Sequence, residues 1–333
     1  MKIFHHNDND GRCAAAIVYH ELSVVFDKPT KDDFVEYNHG WKLGIPEIKE
    51  GETVYIVDLS LDDVIMGLIK HLINGGCNVI HIDHHKSTLD RMETLSGSDK
   101  LVMDKVTKFY KIGISGSLLT WIYSCMDEEE RKNCEAVQFD LTDKRTHVAF
   151  DYDTPNMREY RIPTTIRFVD DNDVWLHDIE ETKYFCMASM MLEDKHPYSD
   201  TWKDLIYGSD YNVYQLVEKG RLLYQYQQTI NKGVLQKAFE VDFEGMKTLC
   251  LNSCYGNSRV FEDRFDMYPC CIKFDYDGKI RRWRYTMYRS KAYTGDDTKD
   301  LSVIAKKYGG GGHETAAGFQ LPYFLFSDHA DKN

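Results

Sequence analysis

Three apolar runs in this 333-residue chain end in acids and imidazoles. Asp83-His84-His85 follows Asn78-Val79-Ile80-His81-Ile82; His6, Asp8 and Asp10 follow Met1-Lys2-Ile3-Phe4; Asp58 follows Thr53-Val54-Tyr55-Ile56-Val57. Short apolar runs of this kind read as strands. In an open α/β sheet, ligands bind beyond the carboxyl ends of the strands, so three such ends can meet in one pocket although they are far apart in sequence. Clustered carboxylates cannot all stay ionised at neutral pH without compensating positive charge, and a pair of divalent cations is the most economical compensator. Oxygen donors mixed with imidazole suit manganese, with magnesium, iron or zinc as substitutes. The absence of thiolate at these positions argues against a structural zinc site. The chemistry to expect is hydrolysis at a two-metal centre.

Such a centre needs a fourth acidic element. Phe168-Val169-Asp170-Asp171-Asn172-Asp173-Val174-Trp175 supplies three acids after an apolar pair, and Asp171 is chosen among Asp170, Asp171 and Asp173. Read alone, this stretch is a turn rich in Asp and Asn with solvated carboxylates.

The elements that must position these residues follow from periodicity. Helical patterns at Ala14 to Leu22 and Leu61 to Asn74 alternate with the three strands, as βαβ units require. Ser115-Gly116-Ser117 precedes an apolar run as a capped helix start. A long polar helical pattern runs from about Val213 to Ala238. Lys247 to Asn252, Pro269 to Tyr276 and Arg282 to Met287 read as strands, and Asp300 to Lys307 as a helix. The fold class is therefore α/β: a parallel-sheet N-terminal domain (1–211), a helical connector (212–240) and a smaller mixed α/β C-terminal domain (241–333). Gly309 to Gly312 and His313 precede a small-residue run read as helical. Successive glycine N–H groups and a helix N-terminus can hold a phosphate, although the Lys-Ser or Lys-Thr of a Walker loop is missing.

These motifs resemble, in order, those of the DHH phosphoesterase superfamily, in the branch with the DHH-associated C-terminal domain. His6-x-Asp8-x-Asp10-Gly11 resembles the first motif, Asp58 the second, Asp83-His84-His85 the third and Asp171 the fourth. Tyr308 to Phe319, with Gly309-Gly310-Gly311-Gly312-His313, resembles the C-terminal signature, and Tyr288-Arg289-Ser290 the Arg-Ser element before it. The segment from about Cys125 to Arg161 matches nothing in the family pattern, and Tyr288 stands where the family more often has a smaller or aliphatic residue. The resemblance implies an active site in the cleft between the domains. His6, Asp8 and Asp10 would form one half of a two-Mn²⁺ site, and Asp58, Asp83 and Asp171 the bridge and the other half. His84 is a further ligand, and His85 either a ligand or a donor to the scissile phosphate. Arg289, Ser290, Gly310, Gly311, Gly312 and His313 would hold substrate.

Composition narrows the partners. A formal net charge of −13 repels long nucleic acids, since a protein that neutralises many phosphates shows a broad basic face. Short substrates are favoured. The local exception is Lys279, Arg281, Arg282, Arg284, Arg289 and Lys291 interleaved with Trp283, Tyr285 and Tyr288, one face of which would meet phosphates. The nine cysteines form no paired hooks of zinc-ribbon type and read as small buried hydrophobes. No secretory signal pattern and no run of eighteen apolar residues is present, so a cytoplasmic protein without membrane contact is expected. The implied activity is a manganese-dependent phosphodiesterase on short oligonucleotides or dinucleotides. Alternatives are a cyclic or linear signalling-dinucleotide phosphodiesterase, a RecJ-like single-strand exonuclease and a catalytically silent nucleotide-binding protein. Subunit number, including a homodimer, is left open.

Overall fold

Ile3, Phe4, Val54, Ile56, Val79 and Ile82 are all almost wholly buried, and so are His5, Tyr55, Val57 and His81, which puts buried residues on both faces of each strand. Runs apolar on both faces are what a parallel sheet covered by helices requires. The computed structural model describes residues 1–23, 28–38, 40–150 and 158–327; part of the unmatched segment, 151–157, lies outside them.

Strand β1 (Lys2–His6) leads into helix α1 (Asn9–Ile17), which widens into a π turn at Val18–Leu22; β2 is Phe34–Tyr37 and β3 is Thr53–Val57. Helix α2 (Asp63–Asn74), strand β4 (Asn78–Asp83), helices α3 (Lys86–Thr94) and α4 (Gly97–Met103) and strand β5 (Thr107–Tyr110) follow. All four pairings are parallel, in the order β2-β1-β3-β4-β5. The order reverses between β1 and β3, so the crevice of such a sheet opens between His6 and Asp58.

Helix α5 (Gly116–Cys125) packs on α1, where Ala14, Ala15 and Ala16 are fully buried and allow close approach. After α6 (Glu128–Lys132) comes an antiparallel three-stranded sheet, β6 (Phe139–Leu141), β7 (His147–Phe150) and β8 (Glu159–Arg161). Helix α7 (Thr164–Asp173) packs against α1 and α5, and α8 (Thr182–Ser189) and α9 (Asp200–Tyr207) pack on α7. The chain divides into compact units 1–223 and 224–333, and α10 (Asp210–Leu235) runs from one into the other.

The second unit is one sheet, built from β9 (Phe239–Phe243), β10 (Met246–Asn252), β11 (Cys270–Asp277) and β12 (Arg282–Tyr288), with helix α11 (Leu301–Lys307), β13 (Gly311–Gly312) and β14 (Ala316–Leu321). Its order is β13-β14-β12-β11-β10-β9; only β10 and β11 pair in parallel, which makes the sheet mixed. Phe243, Tyr285 and Phe319 form its aromatic core, with Leu301 and Ile304 of α11 packed into it. Cys250, Cys270 and Cys271 are buried there, whereas Cys254 is exposed. Among the described residues no helix is long and apolar enough to cross a membrane.

One local expectation is corrected. The small-residue run after His313 is strand β14, not a helix, so no helix N-terminus follows the glycines. A Cβ on Gly310 would lie 2.0 Å from the Gly318 carbonyl oxygen, and Gly312 has φ +139°. These glycines let β13 close on β14.

Candidate metal centre

His6 ends β1, and its Nδ1 lies 2.6 Å from Asp8 Oδ2. Asp8 also caps α1, its Oδ1 accepting the Gly11 N–H at 2.9 Å. Asp10, in the first turn of α1, accepts two N–H groups from the start of α5: Gly116 to Oδ2 at 2.6 Å and Ser117 to Oδ1 at 2.9 Å. Asp58 follows β3 in the left-handed region at φ +55°, a strained setting for a non-glycine residue. Its Oδ2 is buried with no hydrogen-bond partner.

His84 lies beside all of this. Its Nε2 is 3.2 Å from Asp58 Oδ1, 3.3 Å from Asp173 Oδ2 and 3.8 Å from Asp10 Oδ2. Asp83 is turned to other work: His85 Nδ1 lies 2.7 Å from its Oδ1, and Thr88 Oγ1 donates to its Oδ2 while accepting the Leu61 N–H.

Three groups of donors result, each with its atoms within 4.8 Å of one another: His6, Asp8 and Asp58; Asp58, His84 and His85; Asp10, His84 and Asp173. Asp58 and His84 each belong to two groups, which makes the site continuous. Asp83 and Asp171, both expected as ligands, belong to none. Asp171 Oδ1 accepts the Asp178 N–H at 2.8 Å, and its carbonyl oxygen accepts the Leu176 and His177 N–H groups, so it pins the loop after α7. Asp170 Oδ1 accepts the Ser115 N–H, and its Oδ2 pairs with Arg145. Asp173 is the acid of α7 that stands with the donors.

Electrostatics separate these acids. Burial, reinforced by Asp10 and the other neighbouring carboxylates, raises Asp58 well above the usual carboxylate range and pushes Asp173 up to about 9. Asp8 and Asp83 behave oppositely: burial works against their charge, but His6 and His85 hold both below that range. Burial likewise opposes charge on His6 and His85, and their carboxylate partners raise both above the ordinary imidazole value. Two acids are thus already neutralised by imidazole, while Asp58 and Asp173 call for positive charge. An orphaned buried oxygen on Asp58, oxygen and imidazole donors, and no thiolate fit hard divalent cations.

Gly116 sets how closely α5 approaches. A Cβ there would sit 2.7 Å from Asp58 Cβ and 3.0 Å from Asp10 Oδ2. Gly116→Ala is expected to weaken Mn²⁺ binding at least tenfold, on the order of the loss seen when a ligand's supporting contacts are disturbed. A calorimetric Mn²⁺ titration of the purified variant checks this, and wild-type affinity would contradict it.

The C-terminal candidates are placed differently. Arg289 is paired with Glu314 and donates to the Lys299 carbonyl oxygen, and Ser290 donates to Asp266. Gly310 donates its N–H to the Ala305 carbonyl oxygen, and Gly311 and Gly312 pair with β14. His313 is exposed. The basic strip is not one face: Arg284 is held by Asp275 and Asp277, and Arg281 and Arg282 sit at the opposite end of β12 from Arg289.

No model of a known protein family matches the chain. An uncharacterized protein of Acanthamoeba polyphaga mimivirus, R106, is 21% identical over 255 residues, covering 75% of this chain and 49% of that protein. The chain spans about half the length of that curated relative. Among solved structures, the DHH domain of PF0399, a member of the s1p family of ribosomal proteins, is similar over 95% of this chain and 81% of that one, at 13% identity and a TM-score of 0.53. The pGpG-specific phosphodiesterase PggH from Vibrio cholerae is similar over 99% and 96% of the two chains, with 14% identity and a TM-score of 0.48. Exonuclease RecJ bound to manganese is similar over 96% and 85%, with 14% identity and a TM-score of 0.44. The likeness to the PF0399 domain shows that this chain has the fold of that DHH domain.

Proposed function

We propose that the chain is a divalent-metal-dependent phosphodiesterase that hydrolyses short oligonucleotides or dinucleotides to mononucleotides, with manganese as the first candidate for two cations. The observation that carries this reading is the continuity of the three donor groups through Asp58 and His84. His6, Asp8 and Asp58 would hold one cation, and Asp10, His84 and Asp173 the other. When bound, such cations polarise a phosphoryl oxygen and make a water acidic enough to attack at neutral pH.

The protein's own part is positioning and proton transfer. Asp83 accepts the Nδ1–H of His85 and favours its protonated form, so the imidazolium would offer its Nε2–H to the leaving oxygen as a donor. Asp83 therefore supports catalysis from behind the ligands rather than as one of them. Arg289 and His313 are assigned to substrate phosphates, and an arriving phosphate must compete with Glu314 for Arg289. The net charge of −13 favours a short substrate over a long one.

The test is product analysis with Mn²⁺ and a mixture of a linear RNA dinucleotide, a short RNA ladder and a cyclic dinucleotide. Mononucleotide release from the dinucleotide and the shortest RNAs, abolished by chelator, is the expected result. Selective loss of the cyclic species would transfer the site to a signalling substrate. Bound Mn²⁺ with no turnover of any of them would overturn the phosphodiesterase reading.

A further inference from the structure

Asp10 is aimed by the first turn of α5, because both of its oxygens accept N–H groups from Gly116 and Ser117. That turn is itself held. Asp170, 1% exposed, accepts the Ser115 N–H at 2.7 Å, and its other oxygen accepts from Arg145 Nη1 at 2.6 Å. Arg145 Nη2 donates to the Gly113 carbonyl oxygen at 2.7 Å. One planar guanidinium thus spans two points, Gly113 directly and Ser115 through Asp170, on the five residues that end at Ser117.

Arg145 lies in the turn between β6 and β7, inside the segment that matches nothing in the family pattern. Its backbone is strained: Lys144 has φ +56° and Arg145 φ +51°, consecutive left-handed residues without glycine. Such strain persists where the surroundings over-determine it. Here Thr142 Oγ1 accepts the His147 N–H at 2.9 Å, and the Thr146 carbonyl oxygen accepts the Ile162 N–H at 2.9 Å, so the turn is tied on both sides.

We propose that Arg145 is a positioning residue for the metal centre, clamping Asp170 and Gly113 together so that the 113–117 turn aims the Asp10 carboxylate at its cation. The proposal rests on Asp10 being a ligand, as proposed above. It gives the β6–β8 sheet a task at the site through Arg145 and Asp170. A lysine at 145 keeps the charge but has no planar fork to reach both partners at once.

The experiment is calorimetric Mn²⁺ titration of the metal-free full chain carrying Arg145→Ala or Arg145→Lys, with far-UV circular dichroism and melting curves alongside. Arg145→Ala should raise the Mn²⁺ Kd about tenfold, within the range found when groups that orient metal ligands are removed, with secondary structure unchanged; Arg145→Lys should recover only part of it. A purely structural role would lower the melting temperature and leave Kd and stoichiometry at wild-type values, and that result overturns the proposal. If the alanine variant does not fold, the lysine variant decides, since wild-type affinity in it would remove the two-point clamp. Failure of the wild-type protein to bind Mn²⁺ would instead overturn the metal-centre reading itself.

Discussion

Asp173→Asn is expected to lower Mn²⁺-dependent hydrolysis about a thousandfold or more, because a lost cation site forfeits several kcal/mol of charge stabilisation and each 1.36 kcal/mol is a factor of ten in rate. Its Oδ2 lies 3.3 Å from His84 Nε2 and it belongs to the donor group with Asp10. Asp171→Asn should do something different. Asp171 is buried and holds the loop after α7 through the Asp178 N–H, so weakening a charge-assisted bond should cost about 2 kcal/mol of stability and leave Mn²⁺ affinity within a few-fold of wild type. Paired kinetics, Mn²⁺ titrations and denaturant curves on the two variants read this contrast. If Asp171→Asn lost the metal and Asp173→Asn kept it, the placement of the fourth acid on Asp173 would be wrong.

That contrast also shows where sequence ceased to be informative. Taken as a turn, Phe168 to Trp175 offers three acids of equal standing. In α7, which runs on to Asp173, successive side chains diverge by about 100°, and three neighbouring acids must serve different surroundings. Asp170 meets the start of α5, Asp171 the following loop, and Asp173 the donor cluster. Only the phase of α7 against α1 and α5 decides among them, and no local pattern encodes that phase. His6, Asp58 and His84 needed no such information, since each lies at or next to a strand end and the sheet brings the strand ends together.

The edges of the sheet were the hardest part of the fold to read. Strands β2 and β5 flank it, are four residues long and carry Glu36 and Lys108, so the apolar run that marks an inner strand is missing. Ala316-Ala317-Gly318 failed differently. Small residues read as helical, but here they allow β13 and β12 to flank a strand whose larger members, Phe319 and Leu321, fill the core. Arg145 left no signal at all, because its partner Asp170 is 25 residues away and the segment between them includes two short strands.

Removing the metal should reshape the pH dependence of stability. Asp173 titrates near 9 in the folded chain against an ordinary value of 3.8, and Asp58 is raised in the same direction. Between those values the folded state keeps protons that the unfolded state has released. The resulting stabilisation is complete below about pH 4 and is lost as pH climbs toward 9. His6 and His85, also raised, act in the same sense, favouring the folded state below their ordinary value and ceasing to do so as pH passes their folded values. Asp8 and Asp83 are lowered, so their contribution is retained above the ordinary carboxylate value and lost only on acidification. The metal-free protein should therefore grow less stable from pH 5 to pH 9. On the proposed ligand set, Mn²⁺ would replace the protons on Asp58, Asp173 and His6, and it would compete best where those protons are already weakly held. At a free Mn²⁺ concentration of 100 times Kd the stabilisation is about 2.7 kcal/mol, a rise in Tm on the order of 5–10 °C for a unit of this size. Melting curves with and without Mn²⁺ at pH 5.5 and 8.5 should show that rise at the higher pH and only a small part of it at the lower. Equal shifts at both would mean that cations and protons do not compete for these carboxylates, and the donor cluster would lose its claim to be the metal centre.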